Sequence, residues 1–440
     1  MFIRAAGLPG SAACSACRLV VAPVAASVAV LVAASGLTAQ ELRADCDLDD
    51  GGITLPEGFC AVVVADGLGR IRHLAVQPDG DIYVAIRGRR DETGGVLALR
   101  DTTGDGRADV QVRVAEDRGG TGIALSGDTL FYGRDDAILR FLLDPGGPGS
   151  TGAPDTLVSG LPSDGGHAAK SLTLAPGGFL FVNIGSASNA CQEQDRTRES
   201  PGVDPCPELP VRAGIWRFSR TATGQELADG ARWASGLRNT VALALRKHDG
   251  DLYGVVHGRD QLHGSWPELF SEQESAETPS EELVRIVRDG RYSWPECYHD
   301  PGSDRLVLAP EYGGDGVVSG RCMTRVKPIA AYPAHWAPNA LLFYDGDSFP
   351  DRYRGGAFIA FHGSWNRAPL PQGGYNVVFQ PFDADGPTGS WEVFADEFAG
   401  PDRSPRGARH RPTGLAVGPD GSLYVTDDSG GRIWRIFYAP

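Results

Sequence analysis

The chain is short of positive charge. Across 440 residues, 41 Lys and Arg face 56 Asp and Glu, a net charge of −15. A nucleic-acid or anionic-membrane partner needs a basic footprint, so this balance argues against both. None of the eight cysteines stands in a Cys-x-x-Cys-His string, and Cys14-Ser15-Ala16-Cys17 is followed by Arg18. The chain therefore offers no attachment site for a c-type haem. Beyond residue 39 no apolar run reaches the length of a bilayer span. Length alone allows two or three domains, yet no low-complexity linker breaks residues 71–438.

What the chain does have is repetition. Six phrases share one pattern, an apolar pair, a tight turn and then a strand that ends in a small or charged loop. They are LAVQPDGDIYVAIR (74–87), GIALSGDTLFYGR (122–134), SLTLAPGGFLFVNIG (171–185), ALALRKHDGDLYGVVHG (242–258), ALLFYDGDSFPDRYRGGAFIAFHG (340–363) and TGLAVGPDGSLYVTDD (413–428). Each reads as two alternating strands around a Gly/Asp turn, with one face to bury. A lone hairpin cannot bury that face, so such units stack. Six of them predict an all-β fold, a six-bladed β-propeller with short loop insertions, whose loops crowd one mouth of an axial channel. High Gly and Pro content, 59 and 31 residues, fits many short strands and turns.

Residues 1–39 read as an export signal. Arg4 and Arg18 are their only charges, residues 19–37 form an Ala/Val-rich apolar run, and Leu37-Thr38-Ala39 offers a small residue for cleavage. Pro23 within the run and the polar turn at Gln40 favour cleavage over a permanent anchor. The expected mature domain is residues 40–440, periplasmic or secreted, with no membrane span after cleavage. Its six cysteines fall into close pairs, Cys46 with Cys60, Cys191 with Cys206 and Cys297 with Cys322. In an exported chain these read as disulfides that pin loops.

Five stretches beside the repeats carry chemistry. His167, on the Gly-rich Ser163-Asp164-Gly165-Gly166 entry loop, has a side chain able to abstract a proton near neutral pH; a plain surface histidine is the alternative. Arg238-Asn239 precedes the fourth repeat and offers a planar donor fork beside an amide; a blade-to-blade salt bridge is the alternative. Arg409-His410-Arg411 puts two like charges one residue apart, which on an extended segment point the same way and favour an anion between them. In His257-Gly258-Arg259-Asp260 a Gly loop can turn carbonyls towards a hard cation. Ala334 to Pro338, which holds Trp336, with Phe361 to Arg367 following, offers with Tyr332 a stacking wall for a sugar or an aromatic ring, or simply blade packing. Asp101 to Asp109 has a calcium-loop look but lacks the distal Glu and flanking helices, and reads as a hairpin turn.

Three strings, HGSWNRAPLPQGGYNVVF (362–379), AHWAPNALLFY (334–344) and RHRPTGLAVGPDGSLYVTDD (409–428), resemble the quinoprotein glucose/sorbosone dehydrogenase family, most closely its sorbosone dehydrogenase branch. The resemblance covers most of residues 55–438. It implies a propeller that uses pyrroloquinoline quinone (PQQ) and calcium to oxidise an aldose or related aldehyde. Electrons would pass to an external acceptor such as a cytochrome c or a quinone. On matching positions it makes His167 the catalytic base, gives Arg238, Asn239, Arg409 and Arg411 to the cofactor, and assigns the backbone carbonyls of Gly258 and Arg259 to calcium. The family's cofactor-gripping lysine has no clean match, with Arg367 or Ser364 as its stand-in. The chain departs from the family's glucose dehydrogenases at Gly166, where they have Asp before the histidine, and at Gly120-Thr121, where they have a Gln/Asn pair. Two other classes remain open, a calcium-dependent lactonase-type hydrolase and a non-catalytic carbohydrate-binding propeller.

Overall fold

The computed structural model describes residues 45–88 and 92–440. The segment read as an export signal lies outside the described residues.

The six repeated phrases form the inner two strands of six sheets. Ile71–Val76 pairs with Ile82–Ile86, Gly120–Ser126 with Thr129–Arg134, and Leu172–Ala175 with Phe179–Ile184. Ala242–Leu245 pairs with Leu252–Val256, Pro338–Phe343 with Ala357–Phe361, and Pro412–Val417 with Leu423–Asp427. Two further antiparallel strands follow in each sheet, giving blades 1 to 6, and in blade 3 the short strand Gly290–Arg291 adds in parallel at the outer edge. The turn chemistry is as the sequence demands. In Pro78-Asp79-Gly80, Gly80 adopts a φ of +96° and Asp79 Oδ1 accepts the Asp81 amide at 3.2 Å.

Blade 6 closes the ring. Its outer strand is Phe59–Ala65, from the start of the described chain, paired with Ile433–Tyr438 from the end. Six apolar clusters sit between successive blades, one at each seam. Val84 and Leu99 of blade 1 pack on Tyr424 and Ile433 of blade 6, and Leu180 and Val182 of blade 3 pack on Phe131 and Ile138 of blade 2. No blade has a core of its own, so the fold is cooperative around the ring.

Two insertions build up one face. Residues 185–213 follow the second strand of blade 3 and carry the Cys191–Cys206 disulfide. Residues 286–329 interrupt blade 4 and hold a small hairpin, Cys297–Asp300 with Arg305–Leu308, tied by Cys297–Cys322. Cys46–Cys60 fastens the closing strand. All three close pairs seen in the sequence are bonded. Among the described residues, no helix is long and apolar enough to cross a membrane.

Candidate active site

In an antiparallel pair the start of the first strand and the end of the second lie together. Residues just before the first inner strand and just after the second therefore gather at one mouth of the ring. A cavity of about 470 Å³ opens there, and residues from these two positions line most of it. Arg70 and Arg72 come from the start of blade 1, His167 from before blade 3, Arg238 and Asn239 from before blade 4, and Arg411 from before blade 6. Arg87, Asp260, His362 and Asp428 come from just beyond the second strands.

His167 is oriented by its neighbours. Its Nδ1 lies 2.8 Å from the Ser186 carbonyl and 3.0 Å from Ser186 Oγ. A carbonyl only accepts, so Nδ1 carries the proton and Nε2 keeps its lone pair. Burial, reinforced by the Arg238 charge, holds the imidazole well below the ordinary histidine range. The ring is thus neutral at neutral pH, which is the state a base requires. The nearest acidic candidate in the sequence, Asp164, turns away to an ion pair with Arg212 and is exposed.

Arg238 is the centre of a buried network. Its Nε donates to the Asn189 carbonyl at 3.1 Å, and its Nη2 donates to Asn189 Oδ1 at 2.9 Å. Nη1 reaches the Gly258 carbonyl at 2.9 Å, and Nη2 also meets Asp260 Oδ2 at 3.1 Å. Asp260 further accepts from Arg196 at 2.9 Å and from Asn366 Nδ2 at 2.9 Å. Burial works to raise the Asp260 carboxyl, but Arg238, His335 and Arg196 together hold it below the usual range. A second pair, Arg72 to Asp428 at 2.6 Å with His362 Nε2 on the other oxygen at 2.7 Å, fixes the wall between blades 1, 5 and 6.

The other residues picked out in the sequence divide. Asn239 is buried beside His167, its Oδ1 accepting from Asn183 at 3.2 Å. Gly258 lines the cavity, while the Arg259 side chain leaves it for an ion pair with buried Glu311. Arg411 lines the cavity and spans the His362 and Gly363 carbonyls at 3.1 and 2.9 Å. Arg409 does not join it; it is exposed in a separate cleft with Asp47, Glu397 and Arg432. The alternate-residue rule needs extended backbone, and the chain bends at Arg409 before the strand begins at Pro412. Trp336 packs edge-on against Phe361 and Trp391 within blade 5, and Arg367 caps the Ala334 carbonyl at 2.8 Å. Neither is among the cavity's lining residues.

Several lining residues were given no individual role from the sequence. Glu281 accepts the Gly258 and Ala337 amides at 2.8 and 2.9 Å, and burial raises its carboxyl to about 8. Arg70 lines the cavity with no side-chain partner among the described residues. Trp365, 50% exposed, stands at the rim with the Arg196 guanidinium 6.0 Å from its ring centroid. Six guanidinium groups, Arg70, Arg72, Arg87, Arg196, Arg238 and Arg411, line this cavity against three carboxyl groups, Asp260, Glu281 and Asp428. In a chain of net −15, that local excess favours an anion in the cavity.

Known proteins share this architecture. The PQQ domain of pyranose dehydrogenase from Coprinopsis cinerea, in its holo form, aligns with a TM-score of 0.71 at 22% identity, over 88% of this chain and 97% of that one. A calcium structure of a family AA12 carbohydrate-active enzyme from Trichoderma reesei gives 0.72 at 20% identity, over 91% and 99%. The PQQ-bound aldose sugar dehydrogenase of Streptomyces coelicolor gives 0.53 at 20%, over 87% and 99%. A Borreliella burgdorferi protein of uncharacterised function is 37% identical over 115 residues, so the match spans 26% of this chain and only 29% of that protein. The family model described as TrAA12-like matches residues 53–439, nearly the whole ring. The chain belongs to the TrAA12-like family.

Proposed function

We propose that the protein is a PQQ- and calcium-dependent dehydrogenase that oxidises an aldose or a related aldehyde of the sorbosone type. Its electrons pass to an external acceptor, a cytochrome c or a quinone, and the protein works in the periplasm or outside the cell once residues 1–39 are removed. The observation that carries this reading is a guanidinium-rich cavity with a neutral, tautomer-fixed histidine in its wall.

The residues fit the cofactor. PQQ has three carboxylates, and Arg238, Asn239 and Arg411 would hold it with Arg70, which lines the same cavity. Arg409, Trp336 and Arg367 face elsewhere and have no part in this grip. Calcium would be held by the Gly258 and Arg259 carbonyls, as the resemblance implies; Gly258 lines the cavity, its amide on Glu281 at 2.8 Å and its carbonyl accepting from Arg238 Nη1 at 2.9 Å. Carbonyl oxygens of this kind suit a hard cation.

When bound, PQQ supplies the hydride acceptor and calcium polarises its quinone carbonyl. The chain's own part is proton handling and positioning. Nε2 of His167 would accept the proton of the sugar C1 hydroxyl, so that loss of the C1 hydride to the bound quinone would leave a lactone. Asp260, pinned by Arg196, Arg238 and Asn366, fixes the cavity floor. A metal-dependent hydrolase would need carboxylates free to converge on its ion, whereas Asp260 and Asp428 are each bound by guanidinium groups.

Reconstitution tests the reading. Purified protein mixed with PQQ and calcium is expected to retain quinone absorbance after desalting and to reduce a dye with at least one sugar of a panel that includes glucose and sorbosone. No retained absorbance and no dye reduction across the panel would overturn it.

Trp365 is the expected stacking wall for the sugar ring at the mouth. Aromatic stacking contributes ~0.5–1.5 kcal/mol, so Trp365→Ala should raise the sugar KM about 3- to 10-fold with kcat little changed. Steady-state kinetics check this, and a fall in kcat at constant KM would remove Trp365 from the substrate site.

A further inference from the structure

Blade 2 is the one blade that sends no residue from its strand ends into the cavity. Its Gly120 and Thr121 lie against the ring wall, and beyond its second strand stands Asp135. The space at this blade's end is taken by Lys170, which is wholly buried. The Lys170 carbonyl accepts the Gly122 amide at 3.0 Å and comes so close that a Cβ at Gly133 would sit 2.1 Å from it. The lysine is therefore clamped by its backbone. Its Nζ donates at 2.6 Å to the carbonyl of Ala168, the residue after His167.

An ammonium group has three donors, and this one has a single acceptor among the described residues. The carboxylate that acts on it most strongly, Asp135, makes no ion pair with it; Asp135 Oδ2 is held by Arg87 at 2.9 Å, and Oδ1 is buried with no partner. Arg212 from the 185–213 insertion of blade 3 and Asp136 from the blade 2 turn complete its charged surroundings. A buried charge so poorly matched costs stability. What it gains is a fixed position for the 167–168 peptide.

We infer that Lys170 is a positioning residue for the base: its Nζ–H to Ala168 carbonyl bond locks the entry loop so that the Nδ1 proton of His167 stays on Ser186 and Nε2 faces the cavity. This rests on the dehydrogenase reading for the meaning of the base, but the locked geometry is measurable without it. Burial brings the Lys170 ammonium down to about 8. Below that pH the group is charged in the folded and the unfolded chain, and the full burial cost is felt. Between about 8 and the ordinary lysine value of 10.5 the folded form sheds its proton first, so stability rises with pH. The lock weakens over the same window, because a neutral amine is the poorer donor. Stability and rate should thus move in opposite directions.

Lys170→Met provides the test. In the PQQ- and calcium-loaded enzyme, kcat should fall on the order of 10- to 100-fold, as a misplaced catalytic group does. The sugar KM and PQQ affinity should stay within about threefold, and the melting temperature should be unchanged or higher. The wild type should show an alkaline fall in kcat near pH 8 that the variant lacks. The readout independent of activity is the ¹⁵N spectrum of the His167 ring, assigned by its loss in His167→Asn. It should show one Nδ1–H tautomer in the wild type and a mixture in Lys170→Met. A wild type inert with every sugar would defeat the dehydrogenase reading, while the ring spectrum still decides on Lys170. An unchanged His167 spectrum in the variant, or a wild-type rate flat through pH 8, would overturn the inference.

Discussion

Replacing His167 with Ala is expected to lower the dye-reduction kcat by about 10²- to 10⁴-fold, the usual contribution of a positioned general base. Cofactor binding should change little, because the guanidinium groups of Arg238, Arg411 and Arg70 do not depend on the imidazole. The pH profile is part of the same expectation. Burial, then the Arg238 charge, pushes the His167 imidazole well below the ordinary 6.5. The base must be unprotonated to act, so kcat/KM should be level through neutrality and fall only as pH drops below the ordinary histidine range. The site also explains why position 185 is glycine. A Cβ there would stand 2.6 Å from His167 Cβ and 3.0 Å from Asn239 Oδ1. Gly185→Ala should therefore displace the base and Asn239 together, and reproduce part of the His167→Ala loss. A binding module would keep its rate-independent ligand affinity in both variants and show no turnover in the wild type. Full activity in His167→Ala would remove the histidine from the chemistry.

The ring was legible because each inner hairpin is local: strand, turn and strand lie within one repeat, and period-2 alternation with Gly/Asp turns marks it. Closure was not. Phe59–Ala65 joins Ile433–Tyr438 across the whole length of the chain, and neither segment carries a mark naming the other as its partner. Within the site, residues just before an inner strand could be read, as His167, Arg238 and Arg411 show. Of the residues just after the second strands, His257 to Asp260 were picked out for a cation, but Asp260, His362 and Asp428 were given no role, although antiparallel pairing brings them to the same end. Asp260, His362 and Asp428 follow from that rule once it is applied evenly. Trp336 and Arg409 were misread for backbone reasons. His335 and Ala337 adopt φ of +65° and +59°, and these turns send Trp336 into blade 5 and leave His335 at the cavity. The bend at Arg409 parts it from Arg411. Such left-handed residues leave little trace in a sequence unless they are glycine or asparagine.

Arg238→Met should have the largest combined effect on stability and function. The guanidinium makes four bonds at 2.9–3.1 Å, to Asn189 O, Asn189 Oδ1, Gly258 O and Asp260 Oδ2, all within the buried network. Removing it leaves Asp260 with Arg196 as its ion-pair partner, and takes the donor from the Asn189 carbonyl side of the network, where only Trp294 Nε1 at 2.9 Å remains. Breaking one side of a buried charged pair costs ~3–5 kcal/mol, which for a ring of this size lowers the melting temperature by roughly 4–6 °C. PQQ retention should fall as well, since Arg238 also lines the cavity that would hold the cofactor. Arg238→Lys separates the two effects. A lysine restores a positive charge opposite Asp260 and should recover much of the melting temperature. It cannot reproduce the planar fork that spans Asn189 and Gly258, so cofactor affinity should remain at least tenfold down. Thermal melts and PQQ titrations on the two variants make the comparison. If Lys restores both, charge alone suffices and the fork geometry is dispensable; if Met leaves both intact, the Arg238 network is not what holds the site together.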